Sequence, residues 1–273
     1  MDTEWLEGLP RPLRRLIGPA ASLRQSARHR VPMRISVDGD GDWMNRQPGI
    51  TLYSPTVNAQ PIKCIRDRAL DLWCHDYTPV EGDTIVDVGA GIGAEAVVLG
   101  RLLGSTGRLL AIEAHPRTHR CLEKSVRASG VPQVSPIHAA ITREVGPIEL
   151  SDDKVHIANW VVYDAAESNA SVTVSGYPLD VLLRAHGVNQ VDLLKMNIEG
   201  AEVDALLGAE AVLEATRNVV ISCHDFIADR GGPERMRTYS RVQEILANHG
   251  FALTLREEDP RPWVRYAVHG ARQ

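Results

Sequence analysis

The sequence lacks any apolar run approaching the about 18–20 residues that a membrane-spanning helix needs, so no membrane span is expected. It has no C-x-x-C pair: Cys64, Cys74, Cys121 and Cys223 stand apart. A chain of 273 residues can bury a sizeable core without disulfide staples, so these are expected to be core thiols in a reducing cytoplasm. No internal repeat or low-complexity tract is present. The N-terminal stretch MDTEWLEGLP is acidic and broken by proline, unlike a secretory signal, and a soluble, cytoplasmic protein is expected. A general excess of positive charge is also missing. The net charge is -5, which leaves no overall field to draw nucleic acid or anionic lipid, and neither is an expected partner.

The charge that is present is uneven. Arg11, Arg14, Arg15, Arg24, Arg28, Arg30 and Arg34 fall within residues 11–34 with no acid among them. That segment reads either as a solvated arm or as a contact surface for a partner or an anionic substrate. Prolines at 10, 12, 19, 32, 48, 55 and 61 divide residues 1–60 into short, irregular pieces, with short helices expected near 3–9 and 12–29. We read residues 1–60 as an N-terminal extension acting as a lid, a homodimer contact or an arm. The segment VDGDGDW (37–43) looks like a calcium loop but fails the pattern: Trp43 replaces the loop glycine and Gly49 the closing glutamate. It is expected to be a turn.

From residue 62 the pattern becomes regular. PIKCIRDRALDLWCHDY has helical spacing, with Ile62, Ile65, Ala69, Leu72 and Trp73 on one face. Strands are expected at TIVDV (84–88), GRLLAIE (107–113), VSPIHAA (134–140), PIELS, SVTVS, VDLLKM, NVVISCH (218–224), FALTL and WVRYAVH. Helices are expected over 93–103, 115–129, 178–186, 200–214 and from Pro233 to 248. This alternation, with apolar central strands, predicts an α/β fold: a mostly parallel sheet covered on both faces, with an antiparallel closing edge.

In such sheets, ligands bind beyond the carboxyl ends of the strands. The first strand of the regular region ends VDVGAGIGAEA. Gly89, Gly91 and Gly93 let the backbone turn sharply and approach a ligand, and the next strand ends at Glu113, a carboxylate placed to accept two ribose hydroxyls. Gly89, Gly91 and Ala94 also satisfy the dinucleotide fingerprint. Asp87 argues the other way, since a carboxylate there would repel a pyrophosphate and suit a sulfonium. The pattern therefore favours S-adenosyl-L-methionine (SAM) over a nicotinamide dinucleotide or glycines serving only a tight turn. His138 and Ala139, at the end of the following strand, are expected to border the adenine.

DVGAGIGAEA, AIEAHP and PLDVLLRAHGVNQVDLLKMNIEGAEVDALLGAE together resemble the FkbM-type family of class I SAM-dependent methyltransferases, over roughly residues 62–255. The resemblance implies a seven-stranded Rossmann-like sheet over residues 61–273. It also implies methyl transfer to a hydroxyl of a sugar, glycolipid or polyketide-type alcohol. At one position the chain departs: the family block reads D-V-E-G, and Asn197 stands in place of the aspartate.

An alcohol becomes a good nucleophile when its proton is accepted or its pKa is lowered by a metal. Two neighbouring strand ends supply candidates. Asn197, assigned to both the cofactor and the catalytic set, and Glu199 end one strand; His224 and Asp225 end the other. His224 is our first choice as general base, because a free imidazole titrates near physiological pH. Glu199 would orient it or hold the substrate. The alternative is a divalent metal, Mg²⁺ or Mn²⁺, on Glu199, His224 and Asn197 or Asp225. A structural role for these residues also remains open. So do a SAM-binding protein without turnover and a nicotinamide oxidoreductase. Lys195 shares a face with Asn197 and is expected to pair with a carboxylate such as Asp87. Trp160, in the loop 151–170, is a flat face of the kind that stacks on a sugar.

Overall fold

The structure, a computed structural model, describes residues 11–152 and 170–272. Its first helix spans Arg11–His29; the helix expected near 3–9 lies outside the described residues. The stretch that reads as irregular is a three-stranded antiparallel meander: β1 (Arg34–Val37), β2 (Trp43–Gln47) and β3 (Ile50–Ser54). The prolines punctuate it without breaking it. Pro32 precedes β1, Pro48 sits in the turn before β3, Pro55 follows β3, and Pro61 caps the helix Ile62–Arg68.

Both edges of this meander are covered by helix serines. Ile35 N–H donates to Ser22 Oγ (2.8 Å) and Met33 N–H to Ser26 Oγ (2.9 Å) on the first helix. On the other edge, Tyr53 N–H donates to Ser125 Oγ (2.9 Å) and Thr51 N–H to Ser129 Oγ (3.1 Å) on the helix Pro116–Ser129. Serines four apart on one helix face thus replace the strand that would otherwise pair there.

The main sheet adds β4 (Thr84–Val88), β5 (Arg108–Glu113), β6 (Val134–His138), β10 (Val191–Met196), β11 (Thr216–Ser222), β12 (Ala252–Leu255) and β13 (Ala267–Ala271). A smaller sheet holds β7 (Ala140–Ile141), β8 (Gly146–Ser151) and β9 (Ser171–Tyr177), in the order β7-β9-β8. The seven main strands run in the order β12-β13-β11-β10-β4-β5-β6. Only β13 is antiparallel to its neighbours β11 and β12; the other pairs are parallel. This order agrees with the seven-stranded Rossmann-like sheet that the resemblance implies, and places the switch point between β4 and β10.

Strand alternation sorts the core. Ile85, Leu109, Leu193 and Val220 pack with Ile65, Leu72, Trp73 and Leu99 on one face. Val86, Leu110, Leu194 and Val219 pack with Leu206, Leu213, Val242 and Leu246 on the other. Register places Asp87 opposite Lys195 on the first face.

Three elements differ from the sequence reading. The helix expected over 200–214 is two short ones, Glu202–Leu207 and Glu210–Glu214. Gly208 lies between them, so close to the Thr142 carbonyl that a Cβ would come within 2.4 Å of it. Asp180, from another helix, then accepts the free N–H groups of Ala211 and Val212. The strand expected from Trp263 begins later; Pro262–Arg265 is a helical turn leading into β13. The helix expected from Pro233 starts as a 3-10 turn and is regular only over Tyr239–Asn248. Among the described residues, no helix is long and apolar enough to cross a membrane.

Candidate active site

The glycine loop is pinned between strands. Gly89 and Ala90 both donate to the Ile112 carbonyl of β5 (2.9 and 3.0 Å). The three glycines have separate reasons for lacking a side chain, and all have left-handed backbone (φ +78, +57 and +81°). A Cβ on Gly89 would lie 2.0 Å from the Asn197 carbonyl, and one on Gly93 2.5 Å from Leu122 Cδ1. Those two glycines permit packing. A Cβ on Gly91 would meet nothing within 4 Å; this glycine opens onto a cavity of about 630 Å³. The cavity lies over the carboxyl ends of β4, β5, β10 and β11.

On one cavity wall, Glu113 accepts N–H bonds from Gly91 (2.9 Å) and His115 (2.9 Å). Burial pushes its carboxyl up from the ordinary range, against the pull of those two donors. Ala139 lies on the same wall. A pocket with a bare glycine, a positioned carboxylate and a largely apolar lining suits an adenosine with its ribose hydroxyls.

His138 does not line the cavity. Its Nε2 lies 2.9 Å from the Ala114 carbonyl, and its ring stacks on His119 at 4.9 Å. His115, given no site role in the sequence, does line it; it is buried, with Nε2 3.2 Å from Asp152 Oδ1.

Asp87 also lies off the cavity wall. Its Oδ1 is 2.6 Å from Lys195 Nζ, and both side chains are buried. Burial pushes the Asp87 carboxyl up, while Lys195 pulls it down. Lys195 Nζ also donates to the Gly89 carbonyl (3.0 Å) and stands 4.8 Å over the Trp73 ring. This buried ion pair ties β4 to β10 directly beneath the glycine loop. Asp87 therefore supports the loop from below and leaves the cavity to other groups.

The opposite wall carries a carboxylate–imidazole–carboxylate chain. His224 Nε2 lies 3.2 Å from Glu199 Oε1, and Nδ1 lies 3.0 Å from Glu202 Oε1. Glu202 is fully buried; it also accepts Gly200 N–H (3.0 Å) and Thr238 Oγ1–H (2.9 Å). Burial disfavours a charged imidazole, but the two carboxylates outweigh it and raise His224 to about 10. Both ring nitrogens therefore carry protons, and the imidazole is held as a cation. Glu199 reaches the cavity wall through a left-handed backbone (φ +52°), a conformation that costs a non-glycine residue about 1–3 kcal/mol. Asn197 stands on the wall beside it.

Asp225 points elsewhere. Its Oδ2 accepts the N–H groups of Thr238 (3.0 Å) and Tyr239 (3.0 Å), holding the start of the helix Tyr239–Asn248. Among the described residues, Glu199, His224 and Asp225 do not converge on one point, since the Asp225 carboxylate caps a helix. Among the described residues, three metal-ligating side chains converge only at Asp38, Asp40 and Asp42. All three carboxylates grip Lys124 Nζ, at 2.7, 2.5 and 2.7 Å, closing the turn between β1 and β2.

Glu202 is the member sequence reasoning did not assign. Its signal was the E-G-A-E spacing, which places a second carboxylate in the first helical turn. Thr238 has no such signal. Trp160 lies outside the described residues.

Comparison with known proteins fits this geometry. The methyltransferase FkbM domain profile matches residues 87–253. The chain belongs to the FkbM methyltransferase family. The FkbM match runs from Asp87 into β12, so it takes in the glycine loop and the whole triad. It omits the N-terminal meander and β13. Methyltransferase 1 of Beauveria bassiana is 24% identical over 69% of this chain and 80% of its own length. The hexuronic acid methyltransferase AglP of Haloferax volcanii is 27% identical over 53% of this chain and 57% of its own. The AMB antimetabolite synthetase AmbE of Pseudomonas aeruginosa is 33% identical over 29% of this chain, which spans 4% of that much longer protein. Aeropyrum pernix fibrillarin, solved with S-adenosyl-L-methionine bound, superposes with a TM-score of 0.50 at 17% identity, covering 88% of this chain and 94% of that one.

Proposed function

We propose that this FkbM-family protein is a SAM-dependent O-methyltransferase acting on a hydroxyl of a sugar, glycolipid or polyketide-type secondary alcohol. The observation that carries the proposal is the Glu199–His224–Glu202 chain on the wall of the cavity that Gly91 opens. When bound, SAM supplies an electrophilic methyl group. Glu113 would hold the ribose, and the loop around Gly91 would receive the adenosine end without a side chain in the way.

The protein's remaining task is the hydroxyl proton. Glu199 Oε1 is engaged by the imidazolium, which leaves Oε2 to accept the acceptor's O–H. Two carboxylates and one imidazolium sum to one negative charge, so the group takes up one proton and becomes neutral. The base is then the chain as a unit, with Glu199 touching the substrate and Glu202 fixing the imidazolium. Such positioned proton acceptors contribute about 10²–10⁴-fold to rate. The name of the Haloferax relative supports a carbohydrate acceptor.

Incubation with methyl-labelled SAM and a panel of methyl glycosides and cyclic alcohols tests the proposal. Label should move to an acceptor oxygen, and His224→Ala should abolish transfer while S-adenosylhomocysteine still binds. Binding without transfer to any acceptor, or full activity in the variant, would overturn it.

A further inference from the structure

Trp263 is a large apolar side chain left 48% exposed, yet it lines the same cavity as His224 and Glu199. Its position follows from register. Ala267 of β13 pairs with Ser222 of β11, so the turn Pro262–Arg265 stands over the end of β11, where His224 emerges. The turn is held rigidly. Arg261 N–H and Nε–H donate to Asp259 Oδ1 (2.9 and 2.8 Å), and Arg261 Nη1 reaches Asp71 Oδ2 (2.6 Å). Arg256 grips the carbonyl of the same Asp71 (2.7 Å), and Val264 anchors the turn in the core. Phe226 and Ile227, on the segment that follows His224, line the same cavity. Tyr266 Oη–H donates to Asp229 (2.5 Å), which ties the two segments together.

An exposed indole on a clamped pedestal, in a cavity shared with a phenylalanine and a proton-accepting chain, is a built recognition surface. Resting on the transferase reading above, we propose that Trp263 and Phe226 form the acceptor subsite and seat the apolar face of a pyranose ring, with the hydroxyl to be methylated turned toward Glu199. The indole face matches the C–H face of a sugar, and the carboxylate matches its hydroxyls. A flat surface of this kind sets acceptor affinity and leaves the cofactor end of the cavity untouched. Of the two residues, Phe226 lies within the FkbM match and Trp263 beyond it.

The test measures label transfer from SAM to methyl hexopyranosides and methyl hexuronosides, beside calorimetric binding of S-adenosylhomocysteine. Trp263→Ala should raise the acceptor KM about tenfold and change kcat and S-adenosylhomocysteine affinity little. Trp263→Phe should restore most of the KM. An unchanged KM would overturn the proposal, as would a parallel loss of S-adenosylhomocysteine affinity, which would place Trp263 on the cofactor wall. Transfer to cyclohexanol with no response to any glycoside would refute the sugar assignment and leave the transferase reading standing. Failure of the wild-type protein to bind S-adenosylhomocysteine would sink that reading itself.

Discussion

His224 is the residue on which the proposed chemistry turns, and its charge is measurable without any substrate. In the unfolded chain it titrates near 6.5, and in the fold it keeps its proton to about 10. Between those values the folded state binds one more proton than the unfolded state, so stability falls as pH rises. The slope for one proton is about 1.4 kcal/mol per pH unit. Above about pH 8.5 the buried cysteines act in the same direction, because burial holds Cys74, Cys121 and Cys223 protonated in the fold. Near pH 6.5 the reverse holds for His115, His119 and His269, which burial keeps neutral in the fold, so the window in which His224 dominates centres on about pH 7.5. Denaturant unfolding across it should show the slope in wild type and lose it in His224→Gln; equal slopes would show that His224 is neutral. Glu202→Gln should lower turnover and stability together, since it weakens a fully buried acceptor with three donors, by about 1–3 kcal/mol in an unfolding titration. At this scale the sequence was legible at most strand ends and the turns just beyond them, Asp87 and His138 being exceptions because they engage Lys195 and His119 instead. Gly91, Glu113, Ala139, Asn197, Glu199 and His224 all reach the cavity. It was not legible where a side chain satisfies backbone: Asp225 resembles a ligand in sequence but serves a helix start, and nothing local distinguishes the two uses.

Elements were readable where one periodicity governed them. The strands from β4 to β6 and β10 to β11 each carry an apolar stretch broken by few polar residues, and their predicted spans agree with the structure to within two residues at each end. The meander β1–β3 escaped because its edges are closed by serines from distant helices, a pairing that no local pattern encodes. That arrangement has an energetic signature. Ser125→Ala leaves the Tyr53 N–H without its acceptor and should cost about 1–3 kcal/mol, read as a lower midpoint in urea. Ser125→Thr keeps the hydroxyl and should recover part of the loss. An unchanged midpoint for the alanine variant would mean that water serves that edge equally well. The break at Gly208 was equally unreadable, because it answers a carbonyl of Thr142 that comes close only in three dimensions.

At the scale of the whole molecule, the division at residue 60 is not a division of the site. Asn58 and Gln60 line the cavity, and the Gln60 carbonyl is held by the buried amides of Asn45 (3.1 Å) and Gln47 (2.8 Å). We expect a chain lacking residues 1–60 to lose S-adenosylhomocysteine binding and to melt earlier, because Ser125, Ser129 and the face of the helix Pro116–Ser129 would be uncovered. Retained affinity in that truncated chain would make the meander an accessory. The central claim joins both ends of the cavity: one wall holds the cofactor, and the other accepts a proton. Its most direct test is the rate of label transfer by Glu199→Gln at saturating SAM, beside its affinity for S-adenosylhomocysteine. Affinity should match wild type while transfer falls about 100-fold or more; transfer at the wild-type rate would contradict the proton-accepting role outright.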